Sequence, residues 1–438
     1  MNYRPVEVVE VRAWGRSVGA LARGDAGAYV FEYLPEWGRA GIELSPLLMP
    51  AVPRRRYAFP ALSKGTWHGL PPLLADSLPD DFGNALIDAW MAREGVERAR
   101  VTALDRLAYL GARGMGALEF VPDVGPGTRR PSAIDMSSLV VAARAAVSGT
   151  LLSDAEASSA LQQIINVGTS AGGARAKAVL NVNDATGEIR SGQLPAPPGF
   201  GAWLLKFDGV GLDRQLGQSQ AYGRIEYAYS LMAAAAGLSM PETRLLTEGG
   251  RAHFMAKRFD RTADGGKMHM QTLCALAAID FRLRGVNDYV QYLQAIDELN
   301  LGASAREQAF RRLVFNVAAR NCDDHAKNFA FLLPADGAWE LAPAYDVTFA
   351  YNPQGEWTYQ HLMGVDGKFA DLTRADLLNF ADRRGILAAG SIIDEVIDAI
   401  DSWAQFAAQA DLAPEHRDEV ASQFPLAALR RRARAPKP

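Results

Sequence analysis

The stretch Asn321-Cys-Asp-Asp-His-Ala-Lys-Asn328, which continues as Phe-Ala-Phe-Leu-Leu and leads to Tyr345-Asp346-Val347, decides the fold and the interpretation of this chain. It places an aspartate, an asparagine five positions later and another aspartate beyond a short predicted hairpin. Phosphoryl transfer from a magnesium-bound nucleotide needs one carboxylate to orient the attacking hydroxyl, and an amide oxygen with a second carboxylate to hold the metal. The pattern therefore predicts a kinase-like phosphotransferase.

Asp323 and Asp324 are adjacent, so on a loop their side chains are expected to point in different directions. The spacing to Asn328 favours Asp323 as the carboxylate that faces the substrate hydroxyl, and Asp324 as a residue that braces the loop. An ordinary acidic turn would account for Asp-Asp-His by itself, but less well for the tripeptide together with Asn328 and Asp346. A zinc or di-iron site at His325 is disfavoured because the six histidines are scattered.

The elements around this loop can be read from local patterns. Ser304-Ala-Arg-Glu307 has the form of a capping box, and Phe310, Leu313, Val314 and Val317 would line one face of the helix that it starts. That helix is predicted to end near Arg320. Residues 328–333 and 339–341 are predicted to form a hairpin, with Asp346 emerging after it.

Upstream of the loop, three features are candidates for binding a nucleotide. Lys206 lies among apolar residues of a predicted strand, where a phosphate and the carboxylate of Glu226 on the next helix would relieve the cost of its charge. The loop Gly168-Thr-Ser-Ala-Gly-Gly-Ala-Arg-Ala-Lys177 is not a Walker A sequence, but its small residues would let backbone N–H groups approach phosphates. The alternatives are a snorkelling lysine at a strand edge, a solvated glutamate and a flexible linker.

Bulk composition sets wider limits. The 438 residues (47.3 kDa) suggest two or three domains, and a net charge of -4 argues neither for nor against nucleic acid. Two cysteines, Cys274 and Cys322, cannot form a disulfide framework. The sequence lacks a secretory apolar core and any apolar run of about 18 residues, so we expect a cytoplasmic protein with no membrane partner. The short basic run at 430–437 is most often a solvated end, with contact to nucleic acid as the alternative.

The chain resembles the HipA family, the serine/threonine kinase toxins of bacterial type II toxin–antitoxin modules. The most specific elements are Asp-x-His-x-Lys-Asn, from Asp323 to Asn328, and Tyr345-Asp346. The resemblance runs almost end to end and also includes Val18-Gly-Ala-Leu, Leu74-Ala-Asp-Ser-Leu-Pro-Asp80, Ser170 to Lys177, Leu204-Leu-Lys206-Phe, Glu226-Tyr and Lys257-Arg-Phe-Asp-Arg261.

The resemblance implies an α+β, two-lobed protein-kinase-like fold. Residues 1–130 would form an N-terminal β-rich subdomain of the small lobe, 131–260 its mixed α/β nucleotide-binding part, and 261–438 an all-helical catalytic lobe. The Gly- and Pro-rich stretch from 111 to 130 supports the first boundary. Before it, the sequence pattern predicts short strands at 8–11, 18–21 and 29–31, and after it helices at 137–148 and 153–163.

The same resemblance implies ATP and Mg²⁺ as cofactors and a role for each matching residue. Asp323 would be the catalytic aspartate, and Asn328 and Asp346 the magnesium ligands. The implied nucleotide-binding residues are Lys206 at the phosphates, Lys257 and Phe259 at the adenine hinge, Asp260 near the ribose, and Glu226, His325 and Ser170. Ser170 also matches the loop serine that family members autophosphorylate, which ejects the loop and inactivates the enzyme.

Partners follow from the resemblance as expectations. Family members act on protein substrates that include aminoacyl-tRNA synthetases, and many have a small helix-turn-helix antitoxin of the HipB type, which binds operator DNA. The phosphate loop here reads Gly-Gly-Ala-Arg-Ala-Lys, where many relatives have Gly-Ala-Gln-Glu-Lys, so its detail differs. Two alternatives remain open: a DNA-associated co-repressor module whose kinase site is silent or secondary, and a kinase for a small metabolite.

Overall fold

The structure is a computed structural model, and it describes residues 4–24, 27–79, 81–126, 134–148, 175–208 and 221–430. Three of the predicted features lie outside the described residues. They are the helix predicted at 153–163, the part of the Gly-rich loop that contains Ser170, and the basic tail from 431 onward.

Thirteen strands and fifteen helices are formed within the described ranges. The strands are β1 (Val8–Ala13), β2 (Arg16–Arg23), β3 (Tyr29–Tyr33), β4 (Arg56–Tyr57), β5 (Leu118–Val121), β6 (Lys177–Asn183), β7 (Ile189–Ser191), β8 (Phe200–Lys206), β9 (Thr243–Glu248), β10 (Arg251–Lys257), β11 (His269–Thr272), β12 (Ala330–Leu333) and β13 (Glu340–Leu341). The helices are α1 (Pro35–Ala40), α2 (Lys64–Trp67), α3 (Pro72–Ala75), α4 (Asp81–Arg93), α5 (Ala103–Leu110), α6 (Met136–Ser148), α7 (Tyr222–Ala235), α8 (Leu273–Leu276), α9 (Tyr289–Glu298), α10 (Gly302–Ala318), α11 (Arg374–Asp382), α12 (Ala389–Asp401), α13 (Trp403–Gln409), α14 (Pro414–Ser422) and α15 (Leu426–Leu429). None of the helices in these ranges combines the length and the apolar character needed to cross a membrane.

The chain divides into two compact units that each use separate stretches of sequence. The first unit comprises Met1–Asp213, Leu246–Asp280 and Ala330–Ala342, and the second comprises Arg214–Leu245, Phe281–Phe329 and Pro343–Pro438. These limits differ from the predicted domains. Residues 269–272 pair with the hairpin at 330–341, and this sheet takes both segments into the first unit although they follow residue 261. Helix α7 belongs to the second unit, although its sequence position suggested the small lobe.

The first unit is built on three sheets. The N-terminal sheet has the order β4-β3-β2-β1-β5, and its β1–β2 and β2–β3 pairs are antiparallel neighbours in sequence. Val9, Val11 and Ala13 of β1 are buried while the residues between them are more open, as the two-residue period of a half-buried strand requires. The short N-terminal strands predicted from the sequence are thus confirmed.

The second sheet has the order β7-β6-β8-β10-β9 and carries the predicted lysine-containing strand at its centre. The first six residues of β6 are all buried, which is typical of a strand covered on both faces. A core of fourteen buried residues packs around this sheet and includes Leu180, Trp203, Leu205 and Met255. Lys206 is the last residue of β8, so a rigid, buried strand fixes its backbone.

The second unit is mainly helical. Phe310, Leu313, Val314 and Val317 of α10 are all buried, so the predicted apolar face of this helix is confirmed. The predicted capping box at Ser304 is wrong, because α10 starts two residues earlier at Gly302, after Leu301, which has no side-chain cap. The capping boxes that the structure contains are Thr102 with Asp105, Asp288 with Gln291, and Thr373 with Asp376.

Candidate active site

The loop that carries the two aspartates begins where α10 ends in the second unit. Arg320 adopts a left-handed backbone conformation (φ 53°), which turns the chain out of the helix. The Cys322 N–H then donates to the Ala350 carbonyl (3.0 Å), and the Ala350 N–H donates to the Arg320 carbonyl (3.1 Å). These two bonds pin the start of the loop to the segment that follows Asp346.

Asp324 braces this loop, as the sequence suggested. Its Oδ1 accepts the backbone N–H groups of Leu362 (2.7 Å) and Met363 (3.3 Å). Its Oδ2 accepts the Tyr289 hydroxyl (2.8 Å) and the His361 Nδ1 (2.9 Å). A buried carboxylate with four donors is fully occupied, so Asp324 is not free to receive a proton from a substrate.

The brace extends into a buried amide chain. The Asn316 Nδ2 donates to the Tyr289 hydroxyl (2.9 Å), and the Asn321 Nδ2 donates to the Asn316 Oδ1 (2.9 Å). Asn316 belongs to α10 and Tyr289 to α9, so the network ties the loop to two helices. Buried polar networks of this kind restrict a segment to one geometry, because breaking any bond leaves a buried polar group without a partner.

His361 is the cationic member of the network. Burial alone would lower its pKa, but the adjacent Cys322 sulfur, whose Sγ is 3.8 Å from Nε2, and the Asp324 carboxylate favour the charged ring and raise the pKa of His361 to about 10. Asp324 and His361 therefore form a buried ion pair at neutral pH. No sequence motif pointed to His361, which lies 37 residues after Asp324 in the chain.

Asp323 has a different environment. Its side chain keeps 40% of its area open to solvent, and its Oδ1 accepts the indole N–H of Trp357 (3.1 Å) and lies 3.7 Å from the His325 Nε2. Desolvation by the surrounding protein raises the pKa of Asp323, and the negative charges of Asp346 and Asp324 act in the same direction, while His325 and the Trp357 N–H oppose them. A reachable carboxylate with a raised pKa is a candidate general base.

The segments that carry Asn328 and Asp346 are clamped together by Arg312 and Tyr345. The Arg312 Nη2 donates to the carbonyl oxygens of Asn328 (3.0 Å) and Tyr345 (2.6 Å), and the Tyr345 hydroxyl donates to the Lys327 carbonyl (2.6 Å). Arg312 is buried, and its guanidinium lies over the Phe329 ring (5.0 Å). The two predicted magnesium ligands are thus held on neighbouring backbone segments of one unit.

The side chains of these residues are suited to a hard cation. The Asn328 Nδ2 donates to the Asp323 carbonyl (2.7 Å), which turns the oxygen of the same amide away from that carbonyl. Asp346 has a left-handed backbone (φ 51°), a conformation that Asp tolerates better than most residues and that often marks functional sites. Within the described ranges, no three His, Cys, Asp or Glu residues cluster to hold a metal. Two oxygen donors are what Mg²⁺ uses when phosphates and waters complete its shell.

The first unit carries the predicted phosphate-binding lysine. Lys206 lies directly opposite Lys177 across the β8–β6 pair, and the two residues are only 8% and 4% exposed. Residues directly opposite in an antiparallel pair project to the same face, where like charges destabilise the sheet unless anions compensate them. In the sequence, Lys177 is the last residue of the Gly-rich loop. Its position opposite Lys206 makes it an additional candidate for phosphate binding.

The predicted hinge residues follow at the end of β10 in the same unit. Lys257 is exposed, with its Nζ 6.0 Å from the Trp203 ring, and Phe259 is half-buried. Asp260 is buried and accepts from Arg258 (2.9 and 2.7 Å), Arg261 (2.8 Å) and the Gly116 N–H (2.7 Å).

Burial alone would raise the pKa of Asp260, but the two guanidinium groups of Arg258 and Arg261 hold it far below its usual range. Both oxygens are engaged within the protein, so the structure does not support the expected contact of Asp260 with a ribose. Its carboxylate instead stabilises the chain after β10.

Glu226, His325 and Ser170 are the remaining predicted nucleotide-binding residues. Glu226 lies on α7 in the second unit and is buried (1% exposed), and its pairing with Lys206 stays a prediction. His325 lies beside Asp323 and packs its ring against Phe281 at 5.3 Å. Ser170 lies outside the described residues, so its role also stays a prediction.

Comparison with known families identifies the chain. The model of the HipA-like C-terminal domain matches residues 169–404, and the model of the HipA N-terminal domain matches residues 9–121. These matches define the class, and the chain belongs to the HipA family. The resemblance predicted from the sequence motifs is therefore confirmed.

Two relatives and one solved structure are similar to the chain. "Putative kinase Y4mE" of Sinorhizobium fredii is 25% identical over 371 residues, which cover 79% of this chain and 78% of that protein. "Putative kinase" of Haemophilus influenzae is 22% identical over 231 residues, which cover 45% of this chain and 67% of that protein. HipA of Shewanella oneidensis, solved with HipB and its operator DNA, has a TM-score of 0.63 at 17% identity and covers 94% of both chains. The last comparison confirms the predicted fold class.

Proposed function

We propose that the protein is an ATP- and Mg²⁺-dependent serine/threonine protein kinase that acts as a HipA-like growth-inhibiting toxin. The observation that carries the proposal is the environment of Asp323, which is reachable from solvent, has a raised pKa, and lies next to the charge of Asp346. The names of the two relatives, both of which contain the word kinase, support the same activity.

In this proposal each residue of the second unit has a separate task. Asp323 accepts a hydrogen bond from the acceptor hydroxyl and orients it, while Asp324 and its partners hold the loop in place. The amide oxygen of Asn328 and the carboxylate of Asp346 hold the metal. Mg²⁺, when bound, neutralises charge on the nucleotide phosphates. Arg312 keeps the two ligand segments together through their carbonyl oxygens.

The first unit supplies the nucleotide contacts in the same proposal. Lys206 and Lys177 would compensate the phosphate charge, because both are buried cations that lie opposite each other across the β8–β6 pair. Lys257 and Phe259 would meet the adenine, whereas Asp260 is removed from the ligand set. Glu226 and His325 are retained as candidate contacts.

Regulation and partners are proposed from the family. Phosphate on Ser170 would add about -1.5 to -2 charges near a site that binds anionic ATP, which would oppose nucleotide binding. The acceptor would be a protein, with aminoacyl-tRNA synthetases as candidates. A HipB-like helix-turn-helix antitoxin is a proposed partner, supported by the HipB–DNA complex of the Shewanella oneidensis protein. A co-repressor with a silent site is less well supported, because a pure binding module has no need of Asp323, Asn328 and Asp346 together.

The proposal is tested by brief induction followed by phosphoproteomics, with wild type compared with Asp323→Asn. We expect new phosphoserine or phosphothreonine on one or a few proteins, and phosphate on Ser170, only with the wild type. Purified protein and ATP, with and without Mg²⁺, would test the cofactors by calorimetry. Identical phosphoproteomes for the two forms would refute the kinase assignment.

A further inference from the structure

Trp357 lies close to Asp323, the candidate base. Trp357 donates its indole N–H to the Asp323 Oδ1 (3.1 Å). Among the described residues this is the one side-chain hydrogen bond to the Asp323 carboxylate, and the His325 Nε2 lies farther away at 3.7 Å. The other oxygen, Oδ2, is therefore left for a group from outside the protein.

The chemistry of the indole suits the task of holding a base. Its N–H is a donor only, so it cannot take a proton from a substrate or compete with Asp323 as a base. One fixed donor on Oδ1 limits the rotation of the carboxylate and selects which lone pairs point outward. A positioned base needs this restriction because small errors in orientation are costly in rate.

Further contacts are made by Trp357 and by the residues next to it in the sequence. The Arg284 guanidinium lies 6.0 Å from the ring centroid, and the same Arg284 bonds the backbone carbonyl of Glu356 and lies 3.5 Å from its carboxylate. The adjacent Thr358 is buried and accepts from the Asn352 N–H at its carbonyl (3.2 Å). These bonds anchor the backbone on both sides of Trp357, and the Arg284 guanidinium lies near its ring, so the indole donates from an anchored segment.

We propose that Trp357 is a positioning residue whose indole N–H fixes Oδ1 of Asp323 so that Oδ2 faces the acceptor hydroxyl. This inference rests on the proposed kinase function. In this inference, Trp357, which is far from the motif in the sequence, orients the base. It thereby differs from the buried groups that contact Asp324 and only brace the loop.

The first test compares two tryptophan substitutions in the same unit. Trp357→Phe keeps an aromatic ring but removes the donor. Trp403→Phe is the matched control, because its Nε1 also donates one hydrogen bond, to the Arg417 carbonyl (2.9 Å). Initial rates of ATP turnover, and of phosphate transfer to a degenerate serine/threonine peptide library, are measured per folded molecule.

We expect Trp357→Phe to lower kcat roughly tenfold to a hundredfold, the loss typical of a hydrogen bond to a charged group, with the KM for Mg-ATP changed by less than about twofold. Trp403→Phe should lower the Tm but leave kcat nearly unchanged. Equal kcat for Trp357→Phe and wild type, or an equal loss in both variants, would overturn the assignment.

A double-mutant cycle tests whether the effect passes through Asp323. Trp357→Phe should have no further effect on the residual rate of Asp323→Ala, because the group that it positions is already gone. If the second substitution lowered that residual rate by the same factor as in the wild type, Trp357 would act independently of Asp323 and the inference would be wrong.

A readout without catalysis separates this inference from the proposed function. In ¹⁵N NMR spectra, the indole N–H signal of Trp357, identified by its loss in Trp357→Phe, should move upfield in Asp323→Ala while that of Trp403 stays in place. An unmoved Trp357 signal would refute the hydrogen bond even if phosphotransfer occurred. A moved signal in a protein that transfers phosphate to no acceptor would refute the proposed function, and with it the role of Trp357 in catalysis.

Discussion

Two aspartates, Asp260 in the first unit and Asp323 in the second, have opposite electrostatic surroundings. Asp260 is 1% exposed and is enclosed by the guanidinium groups of Arg258 and Arg261, so its pKa lies far below the usual range. The side chain of Asp323 is 40% exposed, and its pKa is raised by desolvation from the surrounding protein and by the negative charges of Asp346 and Asp324. The first is stabilised as an anion by the fold, and the second is left with a charge that the fold does not compensate.

The difference has a general physical meaning. A carboxylate whose donors are all supplied by the protein contributes to stability, because removing it strands buried cations. A carboxylate that faces other negative charges costs stability, and the cost is tolerated where a cation or a substrate completes the site. Four measurements test whether Asp260 and the braced loop contribute to stability and whether Asp323 and Asp346 contribute to activity.

The largest effect is expected for Asp323→Asn. Loss of a positioned general base should lower phosphotransfer on the order of 10²–10⁴-fold. The Tm of the ligand-free protein should stay the same or rise, since the substitution removes an unfavourable charge. Asp324→Asn serves as the comparison, because it replaces one acceptor oxygen of a carboxylate that accepts four buried hydrogen bonds, and it should lower the Tm. Wild-type turnover in purified Asp323→Asn would show that another group is the base.

Asp260→Asn should have the opposite profile. Removing one partner of a buried ion-pair cluster typically costs about 3–5 kcal/mol in the free energy of unfolding, while kcat per folded molecule should not change. Because the pKa of Asp260 is lowered in the folded state, its contribution is present above the ordinary aspartate pKa of about 3.9 and is lost as the pH falls below it.

Urea unfolding of the wild type and Asp260→Asn should therefore converge toward low pH. The exposed Asp264→Asn is the control, and it should match the wild type at neutral pH. A large loss of kcat with unchanged stability in Asp260→Asn would return this residue to the ligand set.

The third measurement is the pH dependence of stability, which should depend on the buried ion pair between Asp324 and His361. The pKa of His361 is about 10 in the folded protein and about 6.5 in an unfolded chain, so its stabilisation is fully present below about pH 6.5 and is lost as the pH rises toward 10. Between these two pH values, the free energy of unfolding of the wild type should fall by up to about 1.4 kcal/mol per pH unit relative to that of His361→Gln.

The half-buried His416, which lies 3.9 Å from Glu419, provides the control: His416→Gln should follow the wild-type curve. Parallel stability curves of wild type and His361→Gln between pH 6.5 and 10 would contradict the charged state of His361.

The smallest effect is expected for Asp346→Asn. Asn tolerates the left-handed backbone at this position, so the fold should be retained while one metal ligand is weakened. Calorimetry should show that Mg²⁺ strengthens ATP binding about tenfold less than in the wild type, a difference of about 1.4 kcal/mol. Asp366→Asn changes the same residue type at a similar φ (50°) and should leave the Mg²⁺ dependence intact. Unchanged dependence in Asp346→Asn would refute the metal assignment.

Much of the fold could be predicted because its elements have local causes. The alternation of β1, the apolar face of α10 and the hairpin from 330 to 341 follow from side-chain periodicity and turn residues, which do not depend on distant contacts. The start of α10 was missed, since a helix can begin without a side-chain cap when tertiary packing supports it. The limits of the two units differ from the predicted domain limits, because they depend on which strands pair.

The spacing of Asp323, Asn328 and Asp346, and the expectation that Asp324 braces the loop, follow from the sequence without any structure. The tertiary structure alone decided which groups surround them. Trp357 and His361 reach the loop from later positions, and Arg312 reaches it from the preceding helix. The enclosure of Asp260 by two arginines and the position of Lys177 opposite Lys206 likewise became apparent only in the folded chain. Spacing along the chain fixes which side chains a loop can present together, whereas their charge state and accessibility depend on residues that folding brings close from elsewhere in the sequence.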